Sequence, residues 1–600
     1  MACNKCTIAY GEFTPKHLTE EQRLTCDSCN KAIALINKHG LESVQCYLKD
    51  IEIWLAQRTA IKSGGKIIAV NWDLMKGINR IEHDNLIAEA VLRLGYEGGE
   101  FTGRNEINLL CGNVVGLLID DLKNHIKFNS KGYLVSLMTM LEQNTYLSIT
   151  TINWFRNDYN NKALFQGQNN HEVGNALIET FSLLSVTNDR KFRIIYREFE
   201  ELIASDKQAL QLAIEIVSDH QCANDFPVQN SALDVERLLQ YARAIYQVLH
   251  MRDEANEKIL SLNKIYCDSK GNIEVIREED SITQYENFNS LFFELFPSPN
   301  GVGDLYESSE QDFDQLCLKY FGITHKQIAQ FGESLFNFYP KTDLFLVGSN
   351  EYFQKLINYS IGIEVKETFL NMFIRDAASK TNYNIGSKAR PLRKCLIPIG
   401  ENIFICPVSI FIFSVSGTYL DILNGGVDLK PLDDELQNVY KKVDTEFEKK
   451  VAEQLKVHLS PAVVPSIPQK IPEFGGEGFV FLPRELDVVM LYNQQLFILE
   501  CKNLDMKFTP KSLGNEIQRI RKKFSGKMAQ NIEAVQENWD SVLQYLGENP
   551  NGINRHEPVG VIVTRELTIS SVITGVDYPV VPYAKLVESI ETFINTMTWK

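Results

Sequence analysis

The stretch "PRELDVVMLYNQQLFILECKN", residues 483–503, sets two apolar segments on either side of the polar pair Asn493-Gln494. The segments carry Val, Ile, Phe and Tyr, residue types that favour strands, and a two-residue polar connection between them predicts an antiparallel β-hairpin. The second segment ends with an acid and a base, Glu500 and Lys502. Burying unpaired charge is costly, so this pair must have partners, ligands or a catalytic role.

A two-residue turn fixes the register of this hairpin. It places Tyr492 opposite Gln495, and counting outward from that pair places Asp487 opposite Glu500. Directly opposed side chains on paired strands have Cβ atoms about 4.5 to 5.5 Å apart, where like charges repel each other. A divalent cation between the two carboxylates turns the repulsion into ligation. The register therefore predicts a metal site at Asp487 and Glu500.

Side chains along a strand alternate between its two faces. Glu500 and Lys502 therefore share one face, while Cys501 points to the other face together with the apolar Phe497. The hypothesis is that a single face of the hairpin collects Asp487, Glu500 and Lys502.

The same register sets Glu485 opposite Lys502, where it could pair with the ammonium or extend the metal site. Two other interpretations stay open. The charged groups could form a salt-bridge network on an ordinary strand pair, or Cys501 could act as a nucleophile. The inward orientation predicted for Cys501 disfavours the second of these.

These residues resemble the motif of the PD-(D/E)XK nuclease superfamily, an acidic residue on one strand followed by Glu-x-Lys at the end of the next. Asp487, Glu500 and Lys502 match it, and "RELDVV" and "FILECKN" are similar to Mrr-like, Holliday-resolvase-like and nuclease-related-domain members. Leu486 stands where the pattern has Pro, a position that varies in such proteins. The resemblance covers roughly residues 434 to 575. It implies the restriction-endonuclease-like fold and metal-dependent hydrolysis of phosphodiester bonds.

The resemblance also implies individual roles. Asp487, Glu500 and the main-chain carbonyl of Cys501 would hold Mg(II) or Mn(II), hard cations that prefer oxygen ligands. Lys502 would orient the attacking water or help to deprotonate it, and would stabilise the transition state.

Members of this superfamily commonly add a Glu from a preceding helix. The segment "DTEFEKKVAEQL" offers Glu448 beside a helical stripe of Phe447, Val451 and Leu455, with Glu446 as the less favoured alternative. The resemblance therefore assigns Glu448 to the catalytic set.

A basic segment follows the motif. Between residues 502 and 527, two acidic residues stand against eight basic ones: Lys502, Lys507, Lys511, Arg519, Arg521, Lys522, Lys523 and Lys527. The whole chain has a net charge of −16, but phosphate contacts are local, so such a segment can still bind nucleic acid. The alternative is a solvated helix face. We expect nucleic-acid contacts from Arg519 onward, and Gln518 could line the same cleft.

Two cysteine pairs near the start of the chain have the spacing of a metal site. Cys3-x-x-Cys6 and Cys26-x-x-Cys29 would present four thiolates to one tetrahedral Zn(II). Four sulfurs complete the coordination shell, so the site is expected to be structural. The module resembles a zinc ribbon. The alternative is two thiol pairs without metal.

The 600 residues are too many for one core and predict several domains. We expect a zinc-ribbon-like module at 1–35, a helical domain at 36–270, a mixed α+β regulatory or recognition region at 271–430, and the nuclease domain at 431–600. The fold class is thus multidomain and largely α-helical, with a C-terminal α/β domain whose mixed central sheet is flanked by helices. Within the third region, "RKCLIPIGENIFICPVSIFIFSV" is predicted to form strands around a Gly-Glu-Asn turn.

The leading hypothesis for function is a Mg(II)-dependent nuclease acting on DNA, with RNA as an open alternative. A non-cleaving nucleic-acid-binding or scaffold protein is the second hypothesis. The resemblance suggests a restriction or antiphage-defence effector whose upstream regions recognise, regulate or oligomerise, so a homo-oligomer or a regulatory protein partner stays open. No apolar run of about 18 residues and no signal-peptide core are present, so we expect no membrane contact and a cytoplasmic location.

Overall fold

A computed structural model of the chain describes residues 61–63, 66–69, 72–126, 130–159, 178, 181–182, 185, 189–219, 232–257, 262–277, 279–295, 307–338, 345–375, 390–400, 402–423, 427, 429–504, 510–573 and 575–599. The four cysteines of the predicted zinc site, Cys3, Cys6, Cys26 and Cys29, lie outside these residues. Among the described residues, every cysteine is buried.

The described residues group into two compact units. The first takes the residues up to Arg252, Lys264–Ile276 and Phe313–Asp433. The second takes Asp253–Asn263, Arg277–Asp312 and the chain from Asp434 onward.

The first unit is mainly helical, as predicted. The longer helices that lie wholly or mostly within it are Trp72–Arg93, Arg104–Ile126, Ser130–Asp158, Asp189–Asp219, Ala232–Glu257, Glu307–Phe321, His325–Phe338, Asn350–Ile361 and Val408–Leu423. Short strands complete it at Ile61–Ser63, Lys66–Ala69, Glu100–Phe101, Leu262–Cys267, Ile273–Arg277, Phe345–Gly348, Ile397–Gly400 and Ile403–Pro407.

One strand prediction in this unit is partly wrong. Strands Ile397–Gly400 and Ile403–Pro407 pair antiparallel around the predicted turn, but the apolar run that follows forms the helix Val408–Leu423. A continuous apolar run has no periodicity that separates a buried strand from a buried helix.

The second unit contains the hairpin of the opening stretch. Its elements are α1 (Glu279–Leu295), α2 (Lys430–His458), β1 (Val463–Ile467), β2 (Lys470–Pro472), β3 (Phe479–Phe481), β4 (Leu486–Tyr492), β5 (Gln495–Lys502), α3 (Pro510–Gln518), a π-helical segment (Arg519–Phe524), α4 (Ser525–Glu537), α5 (Trp539–Tyr545), β6 (Val559–Thr564), β7 (Val580–Pro582) and α6 (Leu586–Thr596). Strands β7-β6-β5-β4-β1, in that order, form a five-stranded sheet.

This sheet is mixed and is covered on both faces. Strands β1, β4 and β5 pair antiparallel, whereas β5, β6 and β7 pair parallel. One core joins alternate strand residues to Phe524, Trp539 and the apolar residues of α4 and α5. The other core joins the intervening strand residues, including Cys501, to α2 and α6. The predicted mixed sheet flanked by helices is therefore confirmed, and burial on both faces explains why its strands are nearly continuously apolar.

The predicted hairpin register is also confirmed. Tyr492 pairs with Gln495, and the ladder continues through Val488 and Leu499, which leaves Asp487 and Glu500 as the next opposed pair. Asn493 and Gln494 have φ values of 49° and 66°. Positive φ at both central residues is typical of a type I′ turn, whose twist matches that of the paired strands.

Helix α1 joins the second unit from a distant part of the chain. Phe288 packs with Leu567 and Ile569 in a small core that also includes apolar residues of α3. Glu294 near the end of the helix forms an ion pair with Lys585. This helix falls within the predicted 271–430 region, although its packing partners lie more than 200 positions further along the chain.

Among the described residues, no helix combines the length and the apolar character needed to cross a bilayer.

The turn of the hairpin offers a direct stability test. The Gln494 side chain is exposed and its backbone has the left-handed conformation. Gln494→Gly should therefore relieve backbone strain and raise the free energy of unfolding by about 0.5 to 1 kcal/mol. Ala529→Gly, at an exposed position within α4, is the matched control and should lower it by about 1 kcal/mol. Urea unfolding monitored by circular dichroism measures both. A destabilised Gln494→Gly variant would contradict the turn geometry.

Candidate active site

The edge of the sheet where β4 begins and β5 ends carries three charged side chains. Lys502 Nζ lies 2.9 Å from Asp487 Oδ2 and 2.8 Å from Glu500 Oε1. Glu500 is only 3% exposed. The single face predicted to collect Asp487, Glu500 and Lys502 is therefore present.

The Lys502 ammonium has a complete set of acceptors. Besides the two carboxylates, it donates to the main-chain carbonyl of Cys501 at 2.7 Å. An ammonium has three donors, and three acceptors receive them. Burial lowers the pKa of Lys502, but Asp487 and Glu500 outweigh it and raise that pKa above its ordinary value. Lys502 thus stays protonated in this arrangement.

Asp487 is held in place by the strand beside it. Its Oδ2 accepts the Cys501 main-chain N–H at 2.8 Å in addition to Lys502. Burial raises the pKa of Asp487 to about 6; the Lys502 ammonium opposes this rise and the Glu500 charge reinforces it. Burial of Asp487 thus outweighs the stabilisation of its charge by the one ammonium.

Glu448 on α2 joins this cluster from the preceding helix. Burial and the Asp487 charge raise the pKa of Glu448 to about 8, although a hydrogen bond from Ser466 lowers it. Ser466 Oγ donates to Glu448 Oε2 at 2.8 Å. Ser466 lies within β1 and has a φ of 51°, a left-handed conformation that is uncommon for serine.

Several expectations about neighbouring residues are resolved by these contacts. The apolar stripe beside Glu448 is buried as predicted, whereas Glu446 is paired with Lys449. Cys501 lies in the core on the opposite face of the sheet, and burial raises the pKa of its thiol well above the ordinary value. A thiol in that state is a poor nucleophile.

The described contacts of Lys502 do not include Glu485, so the pairing alternative is not observed; the alternative that Glu485 extends the metal site stays a prediction, and its charge raises the pKa of Glu448. Glu485 is exposed and precedes β4, which begins at Leu486. The acceptors around Lys502 are Asp487, Glu500 and the Cys501 carbonyl instead. Strand pairing ends before Glu485, so the alternation that predicted its position no longer applies there.

Asn531 on α4 contacts the acidic cluster, which the sequence motif did not predict. It is fully buried, and its Nδ2 lies 3.5 Å from Glu500 Oε2. Its Oδ1 has no hydrogen-bond partner within the described part of the chain. The available signal was a polar residue at a core position of an apolar helix stripe, next to Met528, Ile532 and Val535.

Phe524 links the acidic cluster to the basic segment. Its ring centroid lies 5.4 Å from Lys502 Nζ and 5.5 Å from the Arg519 guanidinium carbon. Arg519, Arg521, Lys522 and Lys523 are exposed on the π-helical segment, and Lys527 on α4 is partly buried. Short π-helical segments frequently occur at functional sites. Gln518, at the end of α3, is exposed.

The ligand chemistry of the cluster fits a hard divalent cation. Asp487 and Glu500 supply carboxylate oxygens at one edge of the sheet, beside the main-chain carbonyl of Cys501. Among the described residues, no group of three or more His, Cys, Asp or Glu side chains has the arrangement of a metal site. Such a cation would therefore complete its shell with the Cys501 carbonyl, water and substrate oxygens, as Mg(II) commonly does.

No protein-family model, curated protein or solved structure matches the chain, so functional inference depends on the geometry of this site.

The raised pKa of Glu448 makes stability depend on pH. In the folded state this carboxyl keeps its proton up to about pH 8, whereas the unfolded chain releases it near 4.5. The contribution of Glu448 to the free energy of unfolding is therefore fully present below about pH 4.5 and is lost as the pH rises through 8. Glu448→Gln should remove that loss and raise the free energy of unfolding by about 2 kcal/mol at pH 8.5, with little effect at pH 4.5.

Urea titrations of metal-free protein at the two pH values measure this difference. Glu446→Gln on the same helix is the matched control and should show no such pH dependence. Equal behaviour of the two variants would contradict the assigned burial of Glu448.

Removing the ammonium tests the charge network directly. Lys502→Met keeps the chain length but leaves Asp487 and Glu500 facing each other, so it should destabilise metal-free protein by about 3 to 5 kcal/mol at pH 8. The loss should shrink at pH 5, where Asp487 is protonated. The triple variant with Asp487→Asn and Glu500→Gln should recover much of it. Lys456→Met, an exposed position on α2, should have little effect.

Proposed function

We propose that the chain is a metal-dependent nuclease of the restriction-endonuclease-like, PD-(D/E)XK type. The observation that carries the proposal is the convergence of Asp487, Glu500 and Lys502 at one end of two paired central strands. Glu448 from the helix that precedes the sheet supports it, as does the chain order of helix, antiparallel strands, helix and parallel strand.

The proposed chemistry follows from charge. Hydrolysis of a phosphodiester builds negative charge on the nonbridging oxygens and on the leaving oxygen. Asp487, Glu500 and the Cys501 carbonyl would hold Mg(II) or Mn(II). When bound, that ion would stabilise the developing charge and lower the pKa of a coordinated water.

Lys502 would act as an electrostatic group. Its ammonium is protonated because of the two carboxylates beside it. A cation bound by those carboxylates would weaken their electrostatic attraction for the ammonium. The ammonium would then be able to donate a hydrogen bond to the phosphate or to the attacking water. General-base duty would require the loss of its proton, which the raised pKa opposes.

Glu448 and Asn531 would support the two ligand carboxylates. Glu448 lies close enough to Asp487 for their charges to interact. Asn531 contacts Glu500 through its amide. Hydrogen-bond partners of this kind orient metal ligands, and their substitution often lowers metal affinity or activity.

The substrate would be DNA, with RNA as the alternative. Basic side chains are exposed on the π-helical segment, and the Phe524 ring contacts both Arg519 and Lys502. These basic groups would be available to the phosphates of a substrate held by the proposed metal ligands. Antiphage or restriction activity would be consistent with a large upstream region that controls such a nuclease.

A second function is favoured by one observation. The Lys502 ammonium already lies between the two carboxylates, as a cation would, and this arrangement suits a nucleic-acid-binding domain without catalysis. The two functions differ in a single measurable property, which is metal-dependent strand cleavage.

The test is a cleavage panel with single-stranded DNA, duplex DNA, branched DNA and RNA, each with Mg(II) and with EDTA. Asp487→Asn, Glu500→Gln and Lys502→Met should each lower the Mg(II)-dependent cleavage rate at least about 100-fold. Glu446→Gln should retain wild-type activity, and circular dichroism checks that each variant is folded.

Undiminished cleavage by all three variants would refute the catalytic assignment. Retarded migration of nucleic acid without cleavage by the wild-type protein would favour the binding function instead.

A further inference from the structure

A small hairpin projects from the same edge of the sheet as the acidic cluster. Ile467 at the end of β1 pairs with Leu486 at the start of β4, one residue before Asp487. The chain between these paired residues leaves the sheet and forms the β2–β3 hairpin. The hairpin is therefore anchored next to the proposed catalytic residues.

The two faces of this hairpin are very different. On one face, Ile471 is fully buried and Val480 packs against the core. On the other face, Lys470 lies opposite Phe481, and Pro472 lies opposite Phe479. We call this second face, made of Lys470, Pro472, Phe479 and Phe481, the aromatic face.

The aromatic face exposes two large rings to solvent. Phe479 is 53% exposed and Phe481 is 71% exposed. The folded unit gains little from burying these rings, since most of their surface stays in water. Adjacent exposed aromatic side chains commonly mark a binding surface.

Lys470 gives this face a positive charge. Its Nζ lies 3.9 Å from the Phe479 ring centroid and 5.9 Å from that of Phe481. A cation held over aromatic rings, together with open ring surface, can bind a ligand that combines flat apolar groups with negative charge. Nucleobases joined by phosphates are such a ligand.

The spacing of the rings favours separated bases. Phe479 and Phe481 are two residues apart on one strand, so their Cα atoms are about 6.5 Å apart. Stacked bases in a duplex are about 3.4 Å apart. Two rings at nearly twice that spacing match a strand whose bases have left the duplex stack.

The charge around the hairpin indicates how such a strand would lie. Glu473 and Glu477 are exposed near its tip and would repel phosphate. Arg484 at its base binds Gln530 on α4, one residue from Asn531. A bound strand would therefore cross the stem of the hairpin, toward the acidic cluster, rather than the tip.

We propose that the aromatic face is a stacking platform for unpaired bases of a nucleic acid held at the edge of the sheet that carries Asp487, Glu500 and Lys502. The inference rests on the proposed function, because it assigns that site a substrate with single-stranded character.

The test measures binding of the full chain with Asp487→Asn, which prevents cleavage. A labelled oligonucleotide is titrated as a single strand and as a perfect duplex, and fluorescence anisotropy is recorded. Phe479→Ala with Phe481→Ala should weaken single-strand binding by at least about 10-fold and duplex binding by no more than about 3-fold. Phe479→Trp with Phe481→Trp should preserve single-strand binding.

The matched control is Phe413→Ala, a phenylalanine of the first unit that is 38% exposed. It should leave both affinities unchanged. Unaltered single-strand binding by the double alanine variant, or an equal loss for both DNA forms, would overturn the proposal. So would self-association in sedimentation experiments that the double variant abolishes without a change in DNA affinity.

Cleavage assays keep this inference separate from the proposed function. Aromatic-dependent single-strand binding without metal-dependent cleavage would support the platform and refute the nuclease. Cleavage that needs Asp487 but tolerates the double alanine variant on single strands would support the nuclease and refute the platform.

Discussion

The buried contact of the Lys502 ammonium with two carboxylates is the interaction on which the candidate site depends. Asp487 and Glu500 face each other because the hairpin register leaves no other position for them, and each would repel the other without a cation between them. Lys502 supplies that cation from the same strand. Charges buried this deeply are tolerated only when they are paired, so the three residues form one unit.

The rest of the second unit holds this network at the edge of the sheet. Apolar residues on both faces of β4 and β5 fix the strands, and the charged groups lie where those strands end. Glu448 enters from α2, and Asn531 and Phe524 enter from the opposite layer. The left-handed Ser466 adds local backbone strain, which commonly persists where function requires a particular side-chain orientation.

The same geometry unites the two proposals. Burial raises the pKa values of Asp487 and Glu448, and a cation at the proposed metal site would lower both, while the basic side chains of the π-helical segment would be available to phosphate. The aromatic hairpin leaves the sheet beside Asp487 and would add base stacking to these electrostatic contacts. A nucleic-acid strand would thus meet charge and aromatic surface before it reached the carboxylates.

The sequence by itself determined the features that depend on local periodicity. Alternation and the two-residue turn were sufficient to predict that Asp487 opposes Glu500 and that Cys501 points away, and the helical stripe was sufficient to place Glu448 on its helix. Both are set by the geometry of a strand or a helix over a few residues.

Tertiary structure alone decided the contacts between distant segments. Asn531 reaches Glu500 only because α4 packs on the sheet, and α1 joins this unit through partners far along the chain. The apolar run at Val408–Leu423 became a helix although its composition suited a strand. Such outcomes depend on which surfaces meet in the folded chain, and single-segment patterns carry no record of those surfaces.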